Sequence, residues 1–130
     1  MKKVFLTGNR EPEWRWDLSD FLTQREVDVF DPAGAFPDLA SIFKYLKVLE
    51  GCDLLIAYFA GIERHPLASV LEMSYASKLA KDVVVVDDMP SKRSWRHFTP
   101  YSMSFSDLPD LKAYLAKMLA IHPQRPRLIG

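Results

Sequence analysis

The residues able to do chemistry gather in one stretch, Ala57 to Ala76, which carries Glu72 within an otherwise apolar and small-residue helical segment. From Pro66 onward, Leu67, Val70, Leu71, Met73 and Ala76 recur at helical spacing, and Glu72 falls one turn after Ala68 and Ser69. Two readings of that carboxylate are open. As an acid near a helix start it would be favoured by the helix dipole, by roughly 0.3–1 kcal/mol. As a working group it would lie by a strand–helix junction, where an open parallel α/β sheet forms its ligand crevice. Val70, Leu71 and Met73 beside it would then matter, because a partly apolar pocket tunes a carboxyl for nucleophilic or proton-transfer work. Glu72 is therefore the candidate catalytic residue.

For Glu72 to face a crevice the chain must build such a sheet, and its pattern predicts one. Lys3 to Thr7 reads as a buried strand ended by Gly8 and Asn9, and Trp16, Phe21 and Leu22 mark an amphipathic helix ending near Gln24. Val27 to Asp31 reads as a second strand closed by Pro32 and Gly34, so Asp31 falls at a carboxyl end. A second helix starts at Pro37-Asp38, with Asp38 as N-cap, carries Ile42, Tyr45, Leu46 and Leu49 on its apolar face, and stops at Gly51. Leu54 to Phe59 is an uninterrupted apolar run, as expected of a strand covered on both faces. Asp53, at the amino end of that strand and opposite the crevice, reads as a cap or turn residue.

The helix of Glu72 ends by about Lys81, and Val83 to Val86 form the next strand, followed by Asp87-Asp88. Pro90 to Tyr101 mixes Lys92, Arg93, Arg96 and His97 with Trp95, Phe98 and Tyr101, which suits either a loop reaching over an anion or a solvated loop with packed aromatics. Met103 to Phe105 reads as a short edge strand, and Leu108 to Leu119 as a last helix capped by Ser106 or Asp107. The alternation predicts an α/β fold: a small doubly wound, flavodoxin- or Rossmann-like sheet of four to five parallel strands with helices on both faces.

Composition narrows the function. The 130 residues suit a single domain over 1–121, with 122–130 as a loose tail. Lys plus Arg and Asp plus Glu number 17 each, so no overall basic field points to nucleic acid. Cys52 is the single cysteine, which excludes an internal disulfide and a cysteine-clustered metal site and fits a reducing compartment. The amino terminus begins like a signal peptide, but its apolar run meets Asn9 and Arg10 within a few residues, and no run approaches transmembrane length. The expectation is a soluble, cytoplasmic protein with no membrane partner and no cofactor.

Three segments in this order, Val4-Phe-Leu-Thr-Gly8, Leu49-Glu-Gly-Cys-Asp-Leu-Leu-Ile-Ala57 and Leu71-Glu-Met-Ser-Tyr-Ala-Ser-Lys-Leu-Ala-Lys-Asp-Val-Val-Val-Val86, resemble the nucleoside 2-deoxyribosyltransferases and the related deoxynucleoside monophosphate N-glycosidases. The similarity runs from about Lys3 to Asp88. In that family the glutamate of a Glu-(Leu/Ile/Met)-(Gly/Ser)-x-Ala segment before a valine-rich strand is the nucleophile, and the matching residue is Glu72. The resemblance implies a double displacement through a glycosyl ester on Glu72, a nucleoside or nucleotide as the small-molecule partner, and a homodimer or larger oligomer. It also implies that Gly8, Asn9 and Arg10 border the pocket and that Trp14 stacks on a base, Trp14 and Trp16 being alternatively core residues of the first helix. Arg10, Arg15 and Ser69, with the amides at the helix start, are candidates to bind a phosphate.

Two positions depart from the family. Where members often carry an aspartate on the second helix this chain has Tyr45, and six residues before the nucleophile it has Pro66 in place of an aspartate or a phosphate-binding serine. Protonation of the leaving base and sugar binding then need other groups, of which Tyr58, Glu63 and His65 follow the third strand while Asp31 and Asp87 face the same edge. The departures also support an alternative, a catalytically inactive nucleotide-binding or sensor module on the same fold. A phospho-acceptor receiver domain is excluded by order, since acids would be needed where Gly8-Asn9 and Tyr58-Phe59 stand.

Overall fold

The computed structural model describes residues 1–32, 39–61, 67–88 and 101–121. The Asp38 cap, Glu63, His65, Pro66, the basic loop up to Pro100 and the tail from His122 lie outside them. The elements are β1 (Lys3–Gly8), α1 (Pro12–Thr23), β2 (Asp28–Phe30), α2 (Leu39–Glu50), β3 (Leu54–Tyr58), α3 (Leu67–Lys78), β4 (Asp82–Val86), β5 (Met103–Phe105) and α4 (Leu108–Ile121). All neighbouring strands pair in parallel, in the order β2-β1-β3-β4-β5. This is a doubly wound sheet, with Met103–Phe105 as one edge strand and β2 as the other.

Side-chain parity along the strands creates two cores. Val4, Leu6, Leu54, Ile56, Val84 and Val86 meet Trp14, Leu18 and Leu22 of α1 and Leu111 and Leu115 of α4. Phe5, Leu55, Ala57, Val83 and Val85 meet Leu49 of α2 and Met73 and Ala76 of α3 on the other face. Apolar runs without alternation are the signature of strands buried on both sides.

Several boundaries and faces differ from expectation. Val27 is buried but precedes β2, because its N–H closes the end of α1 on the Leu22 carbonyl at 3.0 Å. Phe59 leaves the β3 ladder while its N–H still reaches the Val86 carbonyl at 2.7 Å. α3 ends at Lys78 rather than near Lys81: Ala80 adopts φ 59°, and the Lys81 N–H bonds the Ala76 carbonyl at 2.9 Å. Trp16 is 68% exposed, since Trp14, Leu18 and Leu22, four residues apart, form the inward stripe of α1.

The largest departure concerns α3. Leu67 and Leu71, expected inside, are 72% and 42% exposed, while Ser69, Glu72, Met73 and Ala76 point inward. The helix is rotated so that Ser69 and Glu72, with Met73 and Ala76, meet the sheet in place of its leucines.

Both ends of the β1–β3 seam are fixed by side chains. At the amino end Asp53 Oδ2 accepts from the Lys2 and Lys3 amides at 2.7 and 3.0 Å, the turn role expected of it. Asp107, rather than Ser106, caps α4, accepting from the Asp110 N–H at 2.9 Å. At the carboxyl end Gly8 has φ 120°, and a Cβ there would lie 2.2 Å from the Tyr58 carbonyl oxygen. Gly8→Ala should therefore destabilise the fold by about 3 kcal/mol or more, read as a lower urea midpoint with unchanged slope. A midpoint within error of the parent would contradict that close approach.

Candidate active site

In a sheet of this order the connections from β1 and β3 depart in opposite directions, and the carboxyl ends of these two strands are where such sheets form their ligand crevice. Two backbones floor it, Thr7-Gly8 and Tyr58. The Asn9 N–H donates to the Tyr58 carbonyl at 2.8 Å, the Asn9 side-chain amide donates to the Ala60 carbonyl at 2.8 Å, and its Oδ1 accepts from the Glu11 N–H at 2.8 Å. Asn9 therefore splices the loop after β1 to the loop after β3.

Glu72 enters from α3 and is 3% exposed. Its Oε1 accepts from the Thr7 hydroxyl at 2.6 Å, and Thr7 Oγ1 lies 2.7 Å from the Ser69 hydroxyl, also buried. Among the described residues Glu72 forms no ion pair, and its Oε2 has no hydrogen-bond donor. Burial pushes its carboxyl up to about 7, against the opposing pull of the Thr7 hydrogen bond and the charge of Arg15. A carboxyl so held is not a helix-start acid in solvent, and a buried, perturbed carboxyl of this kind is a candidate for proton transfer or nucleophilic work.

Arg15 is a buried cation of the site, and all three of its nitrogens are engaged. It pairs with Asp31, donates Nε–H to the Asn9 carbonyl at 3.1 Å and Nη2–H to the Gly8 carbonyl at 3.3 Å, and lies 4.7 Å from the centre of the Trp14 ring. This arrangement uses Arg15 to shape the loop instead of presenting it to a phosphate. Trp14 is likewise occupied: its indole N–H donates to the Asn9 carbonyl at 2.7 Å, and its ring stacks on Tyr58 at 4.7 Å and 14°. The tryptophan expected to stack on a base is thus buried against protein, and Tyr58, half-buried, carries the exposed side of the pair. Burial, then the charges of Asp88 and Asp107, raise the Tyr58 hydroxyl pKa.

Of the anticipated residues, Gly8, Asn9, Trp14, Tyr58, Ser69 and Glu72 converge on the ends of β1 and β3, with Asp31 joined to them through Arg15. Arg10 is exposed on the same loop, Asp87 is buried just past β4, and Glu63 and His65 lie outside the described residues. Sequence reasoning missed Thr7. The available signal was its parity with Phe5, which sends both toward the α2–α3 side of the sheet. Tyr45 packs its ring 5.7 Å from Phe30 in apolar surroundings. Among the described residues no cluster of three or more His, Cys, Asp or Glu side chains is placed to hold a metal, and no helix is long and apolar enough to cross a membrane. A cavity of about 300 Å³ lies at the other edge of the sheet, lined by Asp53, Asp82, Tyr114 and Met118, and does not touch Glu72.

Among solved structures, the chain resembles the CMP N-glycosidase BcmB of Clostridium botulinum, with a TM-score of 0.67 at 20% identity over 91% of this chain and 100% of that one. It also resembles the sugar isomerase domain of an RpiR transcription factor from Sphaerobacter thermophilus, TM-score 0.61 at 10% identity over 93% and 70% of the two chains. A pilus assembly-related protein from Burkholderia pseudomallei gives 0.55 at 16% identity over 97% and 95%. At these identities the likeness is one of fold. No curated protein matches the sequence. The model of the family described as nucleoside 2-deoxyribosyltransferase-like matches residues 1–89, from the first strand through the helix of Glu72 to just past β4, and the chain belongs to that family.

Proposed function

We propose that the protein cleaves or transfers the N-glycosidic bond of a nucleoside or nucleotide through a covalent glycosyl ester on Glu72. The observation that carries this reading is a buried carboxylate by the carboxyl ends of β1 and β3, held among the described residues by one hydroxyl and paired there with no cation. Glu72 Oε2 would bond the anomeric carbon as the carbon–nitrogen bond breaks, and the base would leave with that electron pair and take up a proton. Water, or a second base, would then attack the same carbon, release a proton to solvent and return the electron pair to Glu72, with net retention. A carboxylate suits both halves, stabilising the oxocarbenium-like charge and then collapsing onto it.

The likeness to a CMP N-glycosidase supports a nucleotide among the possible substrates. In this reading the backbone of Gly8, Asn9 and Arg10 borders the sugar, Tyr58 meets the base, and Ser69 acts through Thr7. A second reading, a nucleotide-binding module without turnover, is favoured by Tyr45, whose apolar packing leaves the aspartate's role in this family unfilled. Chromatography of a panel of ribo- and deoxyribonucleosides and their monophosphates, with and without added free bases, separates the two. Base release is expected, falling by at least about a thousandfold in Glu72→Ala. Tight binding with no base released over hours would give the site to the binding module.

The raised Glu72 pKa makes a thermodynamic prediction. A carboxyl at about 7 in the folded state and 4.5 unfolded contributes stability below pH 4.5 that is lost as pH rises through 7. Glu72→Gln should therefore be the more stable protein at pH 8, by on the order of 2–3 kcal/mol, and nearly equal to the parent at pH 4. Equal melting temperatures at both pH values would contradict a buried, uncompensated charge.

We further propose a homodimer, in a cytoplasmic setting where the buried Cys52 remains a thiol. Leu67 and Leu71 share one face of α3, and Phe43, 65% exposed, lies on α2, which packs against α3. Light scattering should give twice the chain mass, and Leu71→Asp should shift it toward the monomer. A monomer for the parent protein would overturn the assignment.

A further inference from the structure

The hydroxyls around Glu72 have a direction. Thr7 Oγ1 carries one hydrogen and lies 2.6 Å from Glu72 Oε1 and 2.7 Å from Ser69 Oγ. With Glu72 ionised, the Thr7 hydrogen goes to the carboxylate, so Thr7 has only lone pairs to offer and Ser69 must donate to it. The chain therefore runs Ser69 to Thr7 to Glu72. With Glu72 protonated, the same three groups can reverse, Glu72 donating to Thr7 and Thr7 to Ser69. The ionised state gives each hydroxyl hydrogen of the chain an acceptor, whereas the protonated state leaves the Ser69 hydrogen without one among these three groups.

We propose that Thr7 is a positioning residue for Glu72, fixing Oε1 from β1 so that Oε2 is the oxygen presented to substrate, with Ser69 orienting the Thr7 hydroxyl from one helical turn before Glu72. Three observations carry this. The two carboxylate oxygens are inequivalent among the described residues, Oε1 being hydrogen-bonded and Oε2 having no donor. All three side chains are buried, so water does not substitute freely for the bond. The one charge acting on Glu72 among the described residues is that of Arg15 on α1, itself held by Asp31 and two backbone carbonyls, so Thr7 is the neighbour whose donation favours the ionised form without being shared.

The assignment rests on the reading of Glu72 as nucleophile, and its test is built to fail separately from that reading. Thr7→Val keeps the branched shape and removes the hydroxyl, Thr7→Ser restores it, and Ser69→Ala removes the second donor while leaving the first. Two readouts are taken on each folded variant: the carboxyl carbon-13 titration of Glu72, assigned by its loss in Glu72→Gln, and the pH profile of base release. Thr7→Val should move the Glu72 titration and the acid limb of kcat upward by about one pH unit and lower kcat at pH 7 by roughly tenfold with little change in KM. Thr7→Ser should return both, and Ser69→Ala should give a smaller shift in the same direction. An unmoved titration in Thr7→Val and Ser69→Ala would overturn the proposal whatever the activity. If the parent protein releases no base, the nucleophile reading falls, while the titration still decides whether Thr7 holds Oε1.

Discussion

The structure depends on how closely the end of β1 approaches the end of β3. Only a residue without a side chain fits where Gly8 faces the Tyr58 carbonyl, and the left-handed φ at Gly8 turns the chain directly into the Asn9 loop. From that contact the rest of the crevice follows. Asn9 can reach Tyr58 and Ala60, Trp14 can lie on Tyr58, and Arg15 can collect the carbonyls of Gly8 and Asn9. The residue before the glycine, Thr7, is thereby set against α3 at the height of Glu72.

The electrostatics run against stability. A protein that needed Glu72 only to close a helix end would leave it in water, and one that needed a buried ion pair would give it Arg15. Instead Arg15 is held by Asp31 and the loop carbonyls, and the carboxyl of Glu72 is left at about 7 with, among the described residues, a single neutral donor. Unfavourable burial without full compensation, at a crevice the fold creates for ligands, is the arrangement expected where a group must change its charge during a reaction.

Much of the fold was legible because strands buried on both faces announce themselves. Val83 to Val86 and Leu54 to Phe59 could hardly be anything else, and the strands and helices alternate cleanly enough to demand a parallel sheet. The helix of Glu72 was legible in position but not in orientation. Counting leucines put Leu67 and Leu71 inside, whereas the buried stripe is Ser69, Glu72, Met73 and Ala76. Periodicity reports which residues share a face; it does not report that a hydroxyl on β1 will stabilise a polar face against the sheet more than solvent does. Trp16 misled for a related reason, since aromatic size says nothing about phase around α1. The pairing of Thr7 with Ser69 and Glu72 spans more than sixty residues of sequence, beyond the reach of any local pattern.

The Asp53 contact also bears on how the molecule moves. Its carboxylate grips the amides of Lys2 and Lys3 at one end of the β1–β3 seam, and Asn9 grips Ala60 at the other. A pair of strands bolted at both ends behaves as a stiff spar, and fluctuations large enough to admit or release a ligand fall to the units with fewer bonds across them. Amide exchange along Phe5–Leu6 and Leu55–Ile56 should then require opening close to whole-molecule unfolding.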